Sequence, residues 1–148
     1  MSEDSRTPLE ELDPLARLLV SHNLGTLVTI KRDGRPQVSL VNYVYEPLPG
    51  RIRVSVREPL AKTKNLRRDP RASLSVHSPD GHRYVVAEGT AELSAPAKET
   101  GDEVVEELIE VYRLIRGDHP DWDDYRRAMV RDQRVVLRVQ VERSYGRA

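Results

Sequence analysis

Apolar and polar positions alternate with a period of two over most of this chain and change to a helical period in four places. The run Gly25-Thr26-Leu27-Val28-Thr29-Ile30 reads as a strand. Asp33-Gly34 follows it and precedes a second alternating run over 36–46, the strongest short-range signal for a hairpin. In that run Val38, Leu40 and Val44 share a face with Asn42, while Gln37, Ser39, Val41, Tyr43 and Tyr45 share the other. Pro47-Leu48-Pro49-Gly50 turns the chain into Arg51–Arg57, where Ile52, Val54 and Val56 alternate with Arg53, Ser55 and Arg57 as in a half-buried antiparallel strand. Strands are also expected at 72–78, at 83–93 with a bulge at Gly89, and at 135–141.

Asp13-Pro14 pairs an N-cap acid with a proline at the first helical position, and Leu15, Leu18 and Leu19 make one apolar face of a helix ending near His22-Asn23. Pro59 and Pro70 bracket a short basic helix. Thr100-Gly101-Asp102-Glu103 has the form of a capping box before an amphipathic helix with Val104, Leu108, Val111 or Tyr112, and Ile115 inward, stopped by Gly117. A last helix over 121–130 turns Trp122, Tyr125 and Met129 to one side. Thr7-Pro8-Leu9-Glu10 offers a helical turn, but the first fourteen residues are polar, and 1–12 are expected to form a flexible N-terminus.

No Gly-rich phosphate loop joins a strand to a helix, so a doubly wound dinucleotide fold is not expected. The pattern predicts one α+β domain over 1–148, built on a six-stranded antiparallel split β-barrel with flanking helices. The chain has no cysteine, which removes disulfides and thiolate chemistry. With no apolar run near membrane-spanning length and no secretory h-region, a soluble, cytoplasmic protein without a membrane partner is expected.

Formal charge sums to zero, but it is divided. Residues 57–71 hold six bases against two acids, and residues 99–124 hold ten acids against two bases, Arg113 and Arg116. A neutral total argues against a nucleic-acid partner, which selects a basic surplus over a whole domain. The basic stretch suits a local anion: the start of the helix after Pro59 lies beside Ser55, Lys62 and Thr63, offering N–H groups, hydroxyls and an ammonium to a phosphate. A solvated basic surface would show the same charge run.

The other groups suggest no catalyst. Asp118-His119-Pro120-Asp121-Trp122-Asp123-Asp124 reads as helix capping, His77 and His82 as strand-end side chains, and no Ser stands in a Ser–His–Asp set. An anion cradle without an acid, base or nucleophile points to chemistry carried by a bound cofactor. Gln37 and Ser39 are candidates to hydrogen-bond a heterocycle, and Tyr84 to stack on one.

Leu24-Gly25-Thr26-Leu27-Val28-Thr29-Ile30 with Asp33-Gly34-Arg35-Pro36-Gln37 resembles the opening of the split β-barrel flavoproteins related to pyridoxamine 5′-phosphate oxidase. Ala61-Lys62-Thr63 with Asn65-Leu66-Arg67-Arg68-Asp69-Pro70-Arg71-Ala72-Ser73, Ala87-Glu88-Gly89-Thr90-Ala91 and Trp122-Asp123-Asp124-Tyr125-Arg126 are similar to the branch using the deazaflavin coenzyme F420. The resemblance implies a homodimer with cofactor sites at the subunit interface and hydride transfer between F420 and a small organic substrate. It implies that Lys62 contacts the cofactor phosphate and tail, with Ser55, Ala61 and Thr63 beside it. Pro36, Gln37, Val38 and Ser39 would line the deazaflavin, and Tyr84 would be reached from the partner subunit. His82 joins this cofactor-binding set where close relatives often carry Trp, and Leu40 stands where Asn can occur. Lys64, Arg67 and Arg68 would suit an anionic glutamate tail. The alternatives are an FMN-dependent oxidase or reductase on the same fold, and a protein that holds a deazaflavin, flavin-like or tetrapyrrole ligand without turning it over.

Overall fold

Alternation produces strands here wherever one face can be buried, and the sheet that results curls back on itself. The computed structural model describes residues 9–148. A 3-10 turn at Leu9–Glu11 leads to α1 (Pro14–Val20), β1 (Leu24–Ile30), β2 (Pro36–Asn42), β3 (Val44–Glu46), β4 (Arg51–Arg57) and α2 (Ala61–Arg68). Then come β5 (Arg71–His77), β6 (Tyr84–Leu93), α3 (Glu103–Arg116), α4 (Trp122–Arg131) and β7 (Arg134–Arg147). The flexible segment expected over 1–12 falls mostly outside the described residues, and its last part contains the 3-10 turn. Every ladder is antiparallel, in the order β2-β1-β5-β6-β7-β4-β3. The fold is therefore α+β of split-barrel type, with seven strands rather than six.

The extra strand comes from a break in the run over 36–46. Tyr43 is fully buried, its hydroxyl donates to the Leu19 carbonyl at 2.6 Å and its N–H donates to the Asn23 carbonyl at 2.8 Å. This anchor takes the chain out of the β1 ladder and into the β4 ladder. The two edges of the sheet, β2 and β3, are thus successive pieces of one chain run, and the sheet curls to join them.

Local signals place most of the other elements. Asp13 caps α1 by accepting the Ala16 N–H at 3.0 Å, with Pro14 at the first helical position. The β1–β2 hairpin turns on Asp33-Gly34, Gly34 taking φ +86° and Asp33 accepting the Arg35 N–H. Gly89 marks a register shift in the β6–β7 ladder, and a Cβ there would sit 2.0 Å from the Gln140 carbonyl oxygen. The capping box at Thr100 is not formed. Asp102 is the N-cap of α3, and its carboxylate turns back to accept from Lys98 N and Glu99 N. β7 runs six residues past the expected end, because β6 offers Tyr84–Glu88 as ladder partners to an otherwise polar segment.

Two cores result. The barrel interior is filled by Leu27, Ile52, Val54, Leu74, Val85 and Leu137, among others. A second cluster joins α3 and α4 to the outer face of β7 through Val105, Leu108, Ile109, Met129 and Val136. The helix pair therefore covers the face of β4 and β7 that alternation alone would leave in water. Arg53, expected on the polar face of a half-buried strand, is only 2% exposed for this reason.

Candidate functional site

On the outer face of β4 and β7, ladder register sets two arginine pairs four residues apart. Arg53 lies opposite Arg138, and Arg57 lies opposite Arg134. Like charges directly across a sheet repel, so each pair needs counter-charge.

The chain supplies it to the first pair. Glu46 lies 3.0 Å from Arg53, and Glu110 also pairs with it. Glu107 bridges Arg53 at 3.3 Å and Arg138 at 2.9 Å, and Glu92 takes Arg138 at 3.0 Å. Burial pushes the Glu107 carboxyl up, but the hydrogen bonds and charges of Arg138 and Arg53 outweigh it and hold it below its usual range.

The second pair opens into a cleft of about 420 Å³ between β4, the start of α2, and helices α3 and α4. Its cations are Arg57, Lys62, Arg116 and Arg134, and among the described residues no carboxylate lines it. Arg134 donates to the Ser55 carbonyl at 3.3 Å, while its Nε is buried without a partner. Burial, and then the Arg57 charge, lower the Arg134 pKa despite the nearby Asp132, which is paired with Arg131 at 3.4 Å. Burial followed by the Arg134 charge also lowers the Lys62 pKa. Arg116 reaches the cleft from the end of α3, donating to Asn42 Oδ1 at 3.3 Å. Among the described residues none of these four cations has an ion-pair partner within 4 Å.

The opposite walls are Val111, Tyr112, Ile115, Tyr125 and Met129. Tyr112 and Tyr125 meet edge to face at 5.1 Å. The Tyr125 hydroxyl donates to the Leu108 carbonyl at 3.1 Å, and burial pushes its pKa up to about 12, so it holds its proton. The cleft can therefore bind and orient an anion with an apolar or aromatic body, but it contains no group poised as an acid or base.

The expected site residues divide into several groups. Ser55 and Lys62 line the cleft, and Lys62 Nζ reaches Ser39 Oγ at 3.4 Å. Gln37 turns inward, its amide oxygen accepting from Thr29 Oγ1 at 3.2 Å and Asn65 Nδ2 at 3.4 Å, which ties α2 to β1 and β2. Pro36, Val38 and Ala61 are exposed at the margin. His82 and Tyr84 stand on the β5–β6 hairpin and do not line the cleft of their own chain. Thr63 offers no hydroxyl to a ligand. It is wholly buried, and its Oγ1 donates to the Arg57 carbonyl at 2.6 Å.

The basic helix surface is also largely committed. Arg67 pairs with Glu58, Arg71 with Asp69, and Arg68 donates to the Ile30 carbonyl, leaving Lys64 exposed beside them. Arg116, Arg134 and the aromatic wall were absent from the sequence-based set. They come from segments 50 to 80 residues away from Lys62 in the chain. At 118–124 the capping interpretation holds, since Asp121 accepts from Asp124 N at 3.0 Å.

Fold and cleft together define a split-barrel protein with a cationic cleft. Residues 12–148 match the family described as pyridoxamine 5′-phosphate oxidase, and the chain belongs to that family. A conserved hypothetical protein from Mycobacterium tuberculosis is 25% identical, superposing with a TM-score of 0.71 over 99% of this chain and 89% of that one. An F420 reductase is 21% identical, with a TM-score of 0.68 over 90% of this chain and 98% of that one. A haem-binding protein from Mycobacterium smegmatis is 24% identical, with a TM-score of 0.64 over 97% of this chain and 55% of that one. The family's description names an oxidase, and one of the structural neighbours is named a reductase. Among the described residues no helix is long and apolar enough to cross a membrane.

Proposed function

We propose that the protein is an F420-dependent oxidoreductase that passes hydride between the deazaflavin and a small organic substrate. The observation that carries this reading is the cleft with four cations and, among the described residues, no carboxylate on its lining. Its residues fit a phosphorylated cofactor with further negative charge, since Lys62 and Arg57 supply cations beside the Ser55 and Ser39 hydroxyls. A single phosphate needs fewer cations than this cleft holds, which favours the polyanionic deazaflavin over FMN. That preference rests on the cleft itself, because Arg67 and Arg71 are engaged elsewhere.

When bound, the deazaflavin supplies the hydride chemistry. The chain holds the anionic part on Lys62 and the cleft arginines, keeps the Tyr125 proton in place and covers the site with α3 and α4. Leu24, Val38 and Leu40, 56%, 59% and 69% exposed on the outer face of β1 and β2, support a homodimer that would bring Tyr84 and His82 of one subunit toward the other's site. Val41 and Tyr43, by contrast, are buried within the chain and give no reason for pairing.

The test is a titration of the purified protein with F420, FMN and haem, followed by Tyr and Trp fluorescence. F420 is expected to bind tightest and to weaken steeply with salt, because exposed charges are screened over about 8–10 Å at physiological ionic strength. Lys62→Ala should weaken F420 by about ten- to a hundredfold. Tighter FMN binding turns the assignment to an FMN enzyme, and tighter haem binding to a tetrapyrrole carrier. Light scattering that shows a monomer at micromolar concentration ends the shared-site arrangement.

A further inference from the structure

We infer that His119, on the turn between α3 and α4, is a pH-operated latch: neutral, it fastens the start of α4 to the aromatic wall of the cleft, and protonated, it releases that end. Such a latch goes beyond the cofactor reading, since it acts on the helix pair whatever ligand the cleft takes.

The turn is short and tightly bonded. Gly117 ends α3 at φ +85°, its N–H donating to the Arg113 carbonyl at 2.9 Å. Asp121 then caps α4, its carboxylate accepting from Asp124 N at 3.0 Å and its carbonyl from Tyr125 N at 3.0 Å. Asp121 is itself held by His119, whose Nδ1 accepts the Asp121 N–H at 2.9 Å. The half-buried imidazole lies 5.2 Å from the Tyr112 ring and 5.4 Å from each of the Trp122 and Tyr125 rings. Tyr112 and Tyr125 are the wall of the cleft. One side chain therefore joins the cap of α4 to that wall.

An imidazole is the side chain whose ordinary charge change falls between pH 5 and 8, and once protonated it donates from both nitrogens. A proton on Nδ1 faces the Asp121 N–H, so the bond is lost and the ring is driven from its place. The charges on the surrounding elements set the direction. At the end of α3 stand Arg113 and Arg116, and Arg113 lies 4.7 Å over the Trp122 ring, so a second cation within the cluster is repelled. Arg134 of β7 acts on the Tyr125 phenol, which burial nevertheless keeps protonated, and Tyr112 is the other phenol in contact. The carboxylates lie on the turn and the first turn of α4: Asp118, which accepts the Trp122 indole N–H at 3.0 Å, Asp121, Asp123, and Asp124, paired with Arg127 at 3.7 Å. An imidazolium is thus pushed from the rings by arginines and drawn toward acids, and both forces undo the latch.

The experiment is hydrogen exchange on the full chain without ligand, with the His119 ring followed by NMR, from pH 8 to pH 5. This range stays above that in which Glu107 takes up a proton, so the closed arginine network does not contribute. As His119 titrates, the protection factors of the Asp121, Asp124 and Tyr125 amides are expected to fall by at least about tenfold, while the β5 amides keep theirs. Acrylamide quenching of Trp122, the chain's one tryptophan, should rise in parallel.

His119→Asn puts an Oδ1 acceptor where Nδ1 was and carries no titrating group, so protection should stay high at both ends of the range. His119→Phe keeps a ring without an acceptor, and protection should be low at both. Absence of a His119 titration in this range, titration with unchanged protection, or an equal fall at β5 overturns the inference. So does a pH dependence that survives in His119→Asn. If that variant fails to fold, the wild-type ring and amide signals with the His119→Phe protein decide. Failure to bind F420, FMN or haem bears on the cofactor reading alone, because no ligand enters this experiment.

Discussion

The Arg53–Arg138 and Arg57–Arg134 pairs share two strands, one face and one covering helix, yet they end in opposite electrostatic states. Around the first, Glu46, Glu92, Glu107 and Glu110 complete a closed network. Around the second the wall is Val111, Tyr112, Ile115 and Met129, and positive charge is left over. The difference lies in which residues α3 turns toward the sheet. A buried charge network of one composition fastens a helix, and with its acids replaced by apolar residues it becomes a place to bind something.

The largest effect on this contrast should come from opening the closed pair. Glu107→Ala leaves Arg138 with Glu92 alone and strips one partner from Arg53, which is 2% exposed. Loss of about 3 kcal/mol in urea unfolding is expected, the low end for breaking a buried pair because Glu46 and Glu110 remain. A cost under about 1 kcal/mol would mean that the network does not fasten α3.

Closing the open pair is the converse test. Val111→Glu places a carboxylate toward Arg57 and Arg134, and F420 affinity should fall by about a hundredfold, since a like charge then faces the ligand. Stability should change by no more than about 1 kcal/mol, because the new carboxylate meets two guanidinium groups. Retained F420 binding would show that Val111 does not border the anion.

Thr63→Val acts on the placement of Arg57. The Thr63 hydroxyl donates to the Arg57 carbonyl at 2.6 Å, and its removal leaves that half-buried acceptor with the Leu60 N–H at 3.3 Å. A loss of about 1 kcal/mol is expected in thermal unfolding. No change would mean that the strand end is fixed by the β7 ladder alone.

Acid should affect the closed pair first. A carboxyl whose folded pKa is depressed gives stability that is present above its unfolded value and lost as pH falls through the folded one. Glu107 is depressed from 4.5, so stability should decline below about pH 4.5, and Glu107→Gln should flatten that decline. Asp69, held at about 2 chiefly by the Arg71 hydrogen bond, gives the smallest effect. Asp69→Asn should alter the curve only between the ordinary aspartate value of 3.8 and about 2. A pH curve identical in wild type and Glu107→Gln would remove the network's role in acid stability.

The sequence displayed the closed and open pairs unequally. β1, the Asp33-Gly34 turn, the Gly89 bulge and the prolines around α2 are local signals, and they survive in the structure because each depends on a few adjacent residues. Lys62 and Ser55 stood out as an anion cradle for the same reason, lying on or beside that helix, and Ser39 stood out from its place on the strand after the hairpin. The break at Tyr43 was not, since alternation runs through it unchanged and only the docking of its ring under α1 bends the chain. The covered face of β4 was likewise hidden, because Arg53 is a polar residue in a polar position until α3 brings its glutamates. Summing charge over 57–71 and 99–124 suggested two separate regions of opposite sign. The decisive quantity was the phase of the helix, which puts Glu107 over one arginine pair and Val111 over the next.

β7 lies between β6 and β4 in the sheet, and among the described residues it is the only strand that links the β2-β1-β5-β6 group to β4-β3 by a ladder. During synthesis the first six strands therefore leave the ribosome as two partial sheets, with the facing edges of β6 and β4 both unpaired. Arg134 and Arg138 arrive only with the strand that fills this gap. Barrel closure, charge neutralisation under α3 and assembly of the cleft are thus one late, long-range event, and the nascent chain has to keep two adhesive edges apart until it occurs.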